Sequence, residues 1–175
     1  MHAYLSKYQY KNAATAHLWG ELEKASGLPI AIVMGTWTRV KGFPMITVST
    51  VSRSENAITL HLSQKNYSKV DMANAPSGNW QIPIVYETPS GVNQFLMDKP
   101  EMTVTLTGVK STDWIKFNKD FNGFFYVQYD EGLMSSIMKN VSSFSDLDKI
   151  NIVADIEACC SSGLKSRRKK SENNP

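Results

Sequence analysis

The stretch Ala57-Ile58-Thr59-Leu60-His61-Leu62-Ser63 alternates apolar and polar side chains without a break. A period of two sends Ile58, Leu60 and Leu62 to one face of a strand and Thr59, His61 and Ser63 to the other. The strand is half buried, and His61 reads as a surface residue rather than a ligand. Alternation, or enrichment in β-branched and aromatic residues, recurs at 45–51, 80–88, 92–97, 102–107, 114–118 and 124–129. Turn formers such as Pro76-Ser77-Gly78-Asn79 and Pro89-Ser90-Gly91 separate these runs. Together they predict a seven-stranded antiparallel β-sandwich over 43–130.

Before residue 43 the period is helical. Thr15 is placed to cap a helix through Leu18, Trp19, Leu22 and Ala25, with Gly27 as its left-handed stop. Pro29 suits the first turn of a second helix whose Ile30, Val33, Met34 and Trp37 share a face and which ends near Gly42. An earlier helix around 3–10 carries the apolar stripe Tyr4, Leu5 and Tyr8 and reads as if it begins in its middle.

Helical spacing returns after Asp130. Leu133, Ile137 and Val141 mark one helix; Leu147, Ile150, Val153, Ala154 and Ala158 mark a second that stops at Ser162-Gly163. The expected organisation is thus a helical hairpin (1–42), the sandwich (43–130), C-terminal helices (131–164) and a disordered basic tail (165–175), a mixed α and β chain.

With 175 residues, 42% apolar and 20% charged, the chain is long enough to bury a core. The tail holds five of the 19 basic residues and one of the 16 acidic ones, so the net charge of +3 belongs to it. The remainder is one charge on the acidic side and gives no reason to expect nucleic acid. No apolar run approaches a membrane span, and the N-terminus lacks the pattern of an export signal, so the expected location is the cytoplasm. The adjacent Cys159 and Cys160 are spaced for neither a relaxed disulfide nor a metal site and read as reduced thiols.

Local strings carry a more specific signal. Tyr4-Leu5-Ser6-Lys7, Asn12-Ala13-Ala14-Thr15 and Leu18-Trp19 are followed by Ala25-Ser26-Gly27, Val33-Met34, Thr36-Trp37-Thr38 and Gly42-Phe43-Pro44. Leu62-Ser63-Gln64-Lys65, Trp80-Gln81-Ile82-Pro83-Ile84, Gly123-Phe124 and Val127-Gln128-Tyr129-Asp130 come next. In this order and spacing, over roughly 1–164, the chain resembles the gluzincin zinc aminopeptidases of the puromycin-sensitive type. The segment resembled runs from the end of the catalytic domain through the β-sandwich to the first helices of the C-terminal domain. Two positions depart from the family: Tyr126 stands where an arginine follows G-F-Y, and Lys149 where an arginine follows the aspartate corresponding to Asp148. Neither reproduces a guanidinium's bidentate contacts, which puts any anchoring by those arginines in doubt.

The resemblance implies what the chain lacks. In that family the two histidines of H-E-x-x-H and a downstream glutamate hold zinc, the intervening glutamate activates water, and a separate tyrosine steadies the oxyanion. This chain has only His2, His17 and His61, with no pair at i and i+4. The G-x-M-E-N exopeptidase motif is absent, and the catalytic tyrosine lies before the matched segment, so Tyr4, Tyr8 and Tyr10 do not inherit its role. No catalytic, cofactor-binding or metal residue is assigned, and zinc belongs to the parent family only. Trp37, Trp80, Asn12 and Thr15 read as structural. Asp98 and Glu101 read as solvated charge. The basic run 167–170 reads as a solvated tail or an altered reading frame, with a nuclear-localisation or anionic-surface signal as the alternative.

The expectation is a non-catalytic fragment or truncated paralogue of a zinc aminopeptidase. The apolar face of its N-terminal helices, carrying Leu5, Leu18, Trp19 and Trp37, would be left for another protein chain. The alternatives are a stand-alone β-sandwich binding module that associates with such an enzyme, and a piece cut from a longer precursor.

Overall fold

A computed structural model describes residues 1–163; the basic tail expected at 165–175 lies outside the described residues. The chain is mixed α and β. Three helices, α1 (His2–Tyr8), α2 (Thr15–Ser26) and α3 (Ile30–Arg39), precede seven strands. The strands are β1 (Pro44–Arg53), β2 (Ala57–Asn66), β3 (Ile82–Thr88), β4 (Gly91–Met97), β5 (Glu101–Thr107), β6 (Lys116–Phe117) and β7 (Tyr126–Tyr129). Helices α4 (Glu131–Lys139) and α5 (Asp146–Ser161) follow.

The strands form two sheets, ordered β5-β2-β1-β7 and β4-β3-β6. The alternation in β2 acts as expected: Ile58, Leu60 and Leu62 are wholly buried, while Thr59, His61 and Ser63 are only half-buried. They join Ile46 and Val48 of β1 and Ile82, Ile84, Tyr86, Met97 and Phe117 of the second sheet in one core. Each such aliphatic side chain contributes about 1.5–3 kcal/mol by leaving water.

The expectation of antiparallel pairing throughout fails at β7, which runs parallel to β1 from Met45↔Tyr126 to Val48↔Tyr129. Pairing direction is set by a connection of more than seventy residues, so no local pattern encodes it. The run at 114–118 yields only the two-residue β6, because the backbone bends sharply into left-handed conformations at Asn118, Asp120 and Phe121.

Gly42 launches β1. It sits at φ +90°, and a Cβ there would lie 2.3 Å from Asn66 Oδ1. Asn66 Nδ2 in turn donates to Lys41 O at 3.1 Å, fixing the start of β1 against the end of β2. Gly27 ends α2 in the left-handed conformation, its N–H donating to Glu23 O. The start of α2 differs from the cap expected at Thr15. Thr15 is the first helical residue, and His17 Nδ1 accepts from Ala14 N–H at 3.1 Å while its ring stacks on Tyr8.

The largest departure is α5. Its length and stop match expectation, but the apolar stripe that marks it is mostly not the face it buries. Leu147, Ile150 and Val153 are exposed, whereas Asp148, Asn151 and Asp155 are completely buried. Its buried apolar residues are Ile152, Ala158 and Cys159, with Ile156 half-buried against the core. The reason is a polar partner set beneath the helix.

Candidate functional site

That partner set begins with Lys116 on β6, a fully buried lysine. Its ammonium donates to Phe117 O at 2.7 Å, to Asn118 O at 3.1 Å and to Asn151 Oδ1, and it pairs with Asp148 Oδ1 at 3.2 Å. Burial drives the lysine below its ordinary pKa, opposed by the charges of Asp148 and Asp155. With every donor engaged inside protein, Lys116 has no free lone pair or solvent path for nucleophilic or general-base chemistry.

The bend after β6 supplies the second cation. Asn118 holds it by donating from Nδ2 to Gly123 O and Phe125 O and accepting Gly123 N–H at 2.7 Å. Lys119 Nζ then lies 2.7 Å from Asp148 Oδ2, 3.0 Å from Glu87 and 3.2 Å from Asp120. Burial alone would lower Lys119, but these carboxylates raise it above its usual value. Burial likewise pushes Asp148 up. The bonds from Lys119, Asp120 N–H and Ser145, with the charge of Lys116, outweigh it and hold the carboxyl below its normal range. Ser145 also caps α5 by accepting Asp148 N–H at 3.2 Å.

Asp155, two turns along α5, is different. Oδ1 accepts Val127 N–H at 2.9 Å and thereby caps the outer edge of β7. Oδ2 is buried with no hydrogen-bond partner, as is Asn151 Nδ2. Burial raises the carboxyl to about 7, against the pull of Val127 N–H and Lys116. Tyr129 completes the cluster. Its Oη accepts Phe117 N–H at 2.9 Å, and burial, then the charge of Asp155, pushes the phenol well above its ordinary value.

These groups clamp β6, β7, the bend between them and α5 together. Sequence reading missed the clamp because it scored apolar periodicity. The available signal was polar: Asp148, Asn151 and Asp155 at i, i+3 and i+7, one helix face. Asp148 draws its cations from Lys116 and Lys119. The two positions that depart from the resembled pattern do other work: Tyr126 packs on Phe43 and Tyr67, and Lys149 pairs with the exposed Asp146.

The other residues singled out by sequence fall on separate elements. His2 is on α1, His17 caps α2, and His61 on β2 lies 3.9 Å from Glu101. Among the described residues no group of three or more His, Cys, Asp or Glu is placed to hold a metal ion. Trp80 is buried, with its ring 6.4 Å from that of Trp37, whose Nε1 donates to Gln81 O. Gln64, passed over as one letter of a motif, is a buried staple: it donates to Trp80 O and Lys99 O and accepts Trp80 N–H. An apolar cleft of about 490 Å³ lies between Met34 and Trp37 of α3, Ile82 and Pro83 of β3, and Phe124. The N-terminal helices bury little: α1 and α2 have no buried residue and α3 only Val33. Among the described residues no helix is long and apolar enough to cross a membrane.

Comparison with known proteins places this arrangement. The chain is 31% identical over 166 residues to a puromycin-sensitive aminopeptidase of Caenorhabditis elegans, covering 91% of this chain and 17% of that protein. It is 30% identical over 165 residues to human glutamyl aminopeptidase, covering 87% and 16%. The alanine/arginine aminopeptidase of Saccharomyces cerevisiae is 30% identical over 166 residues, covering 93% and 18%. No family model matches the sequence. Nearly the whole chain thus matches a stretch of each of these much longer aminopeptidases. The chain belongs to the aminopeptidase family of the puromycin-sensitive type, and it spans less than a fifth of the length of the relatives it matches.

Proposed function

We propose that this chain is a non-catalytic scaffold segment of a zinc aminopeptidase, joining the end of a catalytic domain (1–42) to a C-terminal helical domain (131–164) through a seven-stranded sandwich (43–130). The observation that carries this reading is the extent of the match: nearly all of the chain pairs with less than a fifth of each relative. The clamp supports it, because its charged groups are spent on holding α5 to the strands and none faces a substrate. Zinc and peptide hydrolysis belong to the parent enzymes in this reading, and the expected setting is the cytoplasm. The test is zinc analysis of the purified chain together with hydrolysis of a fluorogenic aminoacyl amide. The expected result is neither stoichiometric zinc nor turnover; zinc-dependent turnover by the pure chain would overturn the proposal.

One observation favours a second reading, a binding module for a full-length aminopeptidase. Leu5, Leu28 and Ile32 of the N-terminal region are each more than half exposed, and Leu18 and Trp19 are only half-buried. Such surface favours burial against another chain. Titration of the chain into a purified puromycin-sensitive aminopeptidase, followed by calorimetry, decides it: saturable binding supports the module, and no heat at any concentration removes it.

A further inference from the structure

The two sides of the paired sheets end differently. On one, α5 runs along β7 and Asp155 satisfies the edge N–H of Val127. On the other, β5 closes the first sheet, with β2 as its one strand partner among the described residues.

The bonding pattern shows which backbone groups of β5 are open. Gln64 N–H donates to Pro100 O at 2.9 Å, and Gly108 N–H to Asn56 O at 2.8 Å. Between these points the register runs unbroken, Leu62↔Met102, Leu60↔Val104 and Ile58↔Leu106. Bonded and non-bonded pairs alternate in an antiparallel ladder. Met102, Val104 and Leu106 therefore turn their backbone groups to β2, and Glu101, Thr103, Thr105 and Thr107 turn theirs outward. Edge strands are normally guarded by proline, a bulge or lysine. β5 has none of these, and its single charge, Glu101, leans back toward His61 Nε2 at 3.9 Å.

We propose that β5 pairs antiparallel with β5 of a second copy of this chain, about a twofold axis at Val104. The strand is self-complementary in that register. Thr103 meets the second copy's Thr105, and Glu101 meets Thr107 rather than another carboxylate, so no like charges oppose. All outward backbone groups of 101–107 find partners; sliding the register by two residues strands part of them. On one face the threonine pairing of Thr59 Oγ1 with Thr105 Oγ1 at 3.1 Å continues across the axis. On the other, the half-buried Met102 and Val104 gain cover. The contact is isologous, hence closed at a dimer. It uses a surface apart from the N-terminal helices and is independent of the scaffold reading.

Sedimentation velocity of the full chain over a concentration series tests it, using wild type, Thr103→Lys/Thr105→Lys, Thr103→Glu/Thr105→Glu, and an equimolar mixture of the two variants. Both positions point their backbone away from β2, so the ladder survives substitution, and circular dichroism verifies the fold. Wild type is expected to be a dimer. Each variant sets like charges opposite one another and weakens self-association about tenfold or more. The mixture regains the dimer, with an affinity that falls as salt rises. A wild type that stays monomeric, as it would if the edge served a strand of another protein, overturns the proposal. So does a dimer that both variants retain, which places the contact on another surface such as the N-terminal helices.

Discussion

Replacing Asp155 by asparagine should flatten the pH dependence of stability. The carboxyl is fully buried, with one oxygen bonded to Val127 N–H and the other without a partner. Its folded-state pKa is about 7 against an ordinary value of 3.8. Between these values the folded chain keeps a proton that the unfolded chain releases, so stability is full at low pH and falls as pH rises through the window. A shift of roughly three units is worth about 4 kcal/mol in total, of which about 3 kcal/mol is lost between pH 5 and pH 8. Asp148 is held below its normal range and stays ionised across that interval, so it adds no slope.

In Asp155→Asn the side-chain oxygen still accepts Val127 N–H, and nothing titrates. Urea unfolding of both proteins at pH 5, 6, 7 and 8 isolates the effect, because surface groups common to the two cancel in the difference. The variant is expected to lie within about 1 kcal/mol of wild type at pH 5 and to exceed it by roughly 3 kcal/mol at pH 8. Parallel profiles would refute the reasoning, since they would mean that Asp155 is as ionised when buried as when unfolded.

Lys116→Met should destabilise the chain by about 3–5 kcal/mol in urea unfolding, because it leaves Asn151 Oδ1 and two carbonyls buried without their donor and Asp148 with only Lys119 as a cation. Gln64→Leu should cost about 3 kcal/mol by the same measurement, as Trp80 N–H, Trp80 O and Lys99 O lose their partner in the core. Gly42→Ala should lower stability by about 1–3 kcal/mol, with the loss concentrated at β1 in hydrogen exchange, since the new Cβ meets Asn66 in a left-handed backbone.

Much of the strand content was legible because a period of two is a local property. Ile58, Leu60 and Leu62 announce their burial in seven consecutive letters, and a tight turn such as Pro89-Ser90 marks the hairpin from β3 to β4. The parallel pairing of β7 was not legible, because it depends on where the chain returns after the second sheet. The clamp was hidden for another reason. Burial is read from apolarity, and a buried polar face looks like a wet one until its partners are known. Lys116 lies more than thirty residues before Asp148, in a two-residue strand, and no spacing rule links them.

Helix α5 shows what that hidden cluster does. A helix held by apolar packing would turn Leu147, Ile150 and Val153 inward, yet these are the residues it shows to solvent. Asp148, Asn151 and Asp155 instead meet a charged and hydrogen-bonding floor that an apolar stripe could not satisfy. Turning α5 over would bury three aliphatic side chains, worth about 1.5–3 kcal/mol each, but would strand the buried Lys116, take Asp148 from the half-buried Lys119 and leave the edge N–H of Val127 without its acceptor. Removing one partner from a buried ion pair costs about 3–5 kcal/mol, and the Val127 N–H and the Lys116 donor to Asn151, left unsatisfied, add about 1–3 kcal/mol each, so the polar face matches or exceeds the apolar one. The orientation of α5 is therefore set by Lys116 and Lys119. It leaves Leu147, Ile150 and Val153 outward as a consequence of the polar floor beneath the opposite face.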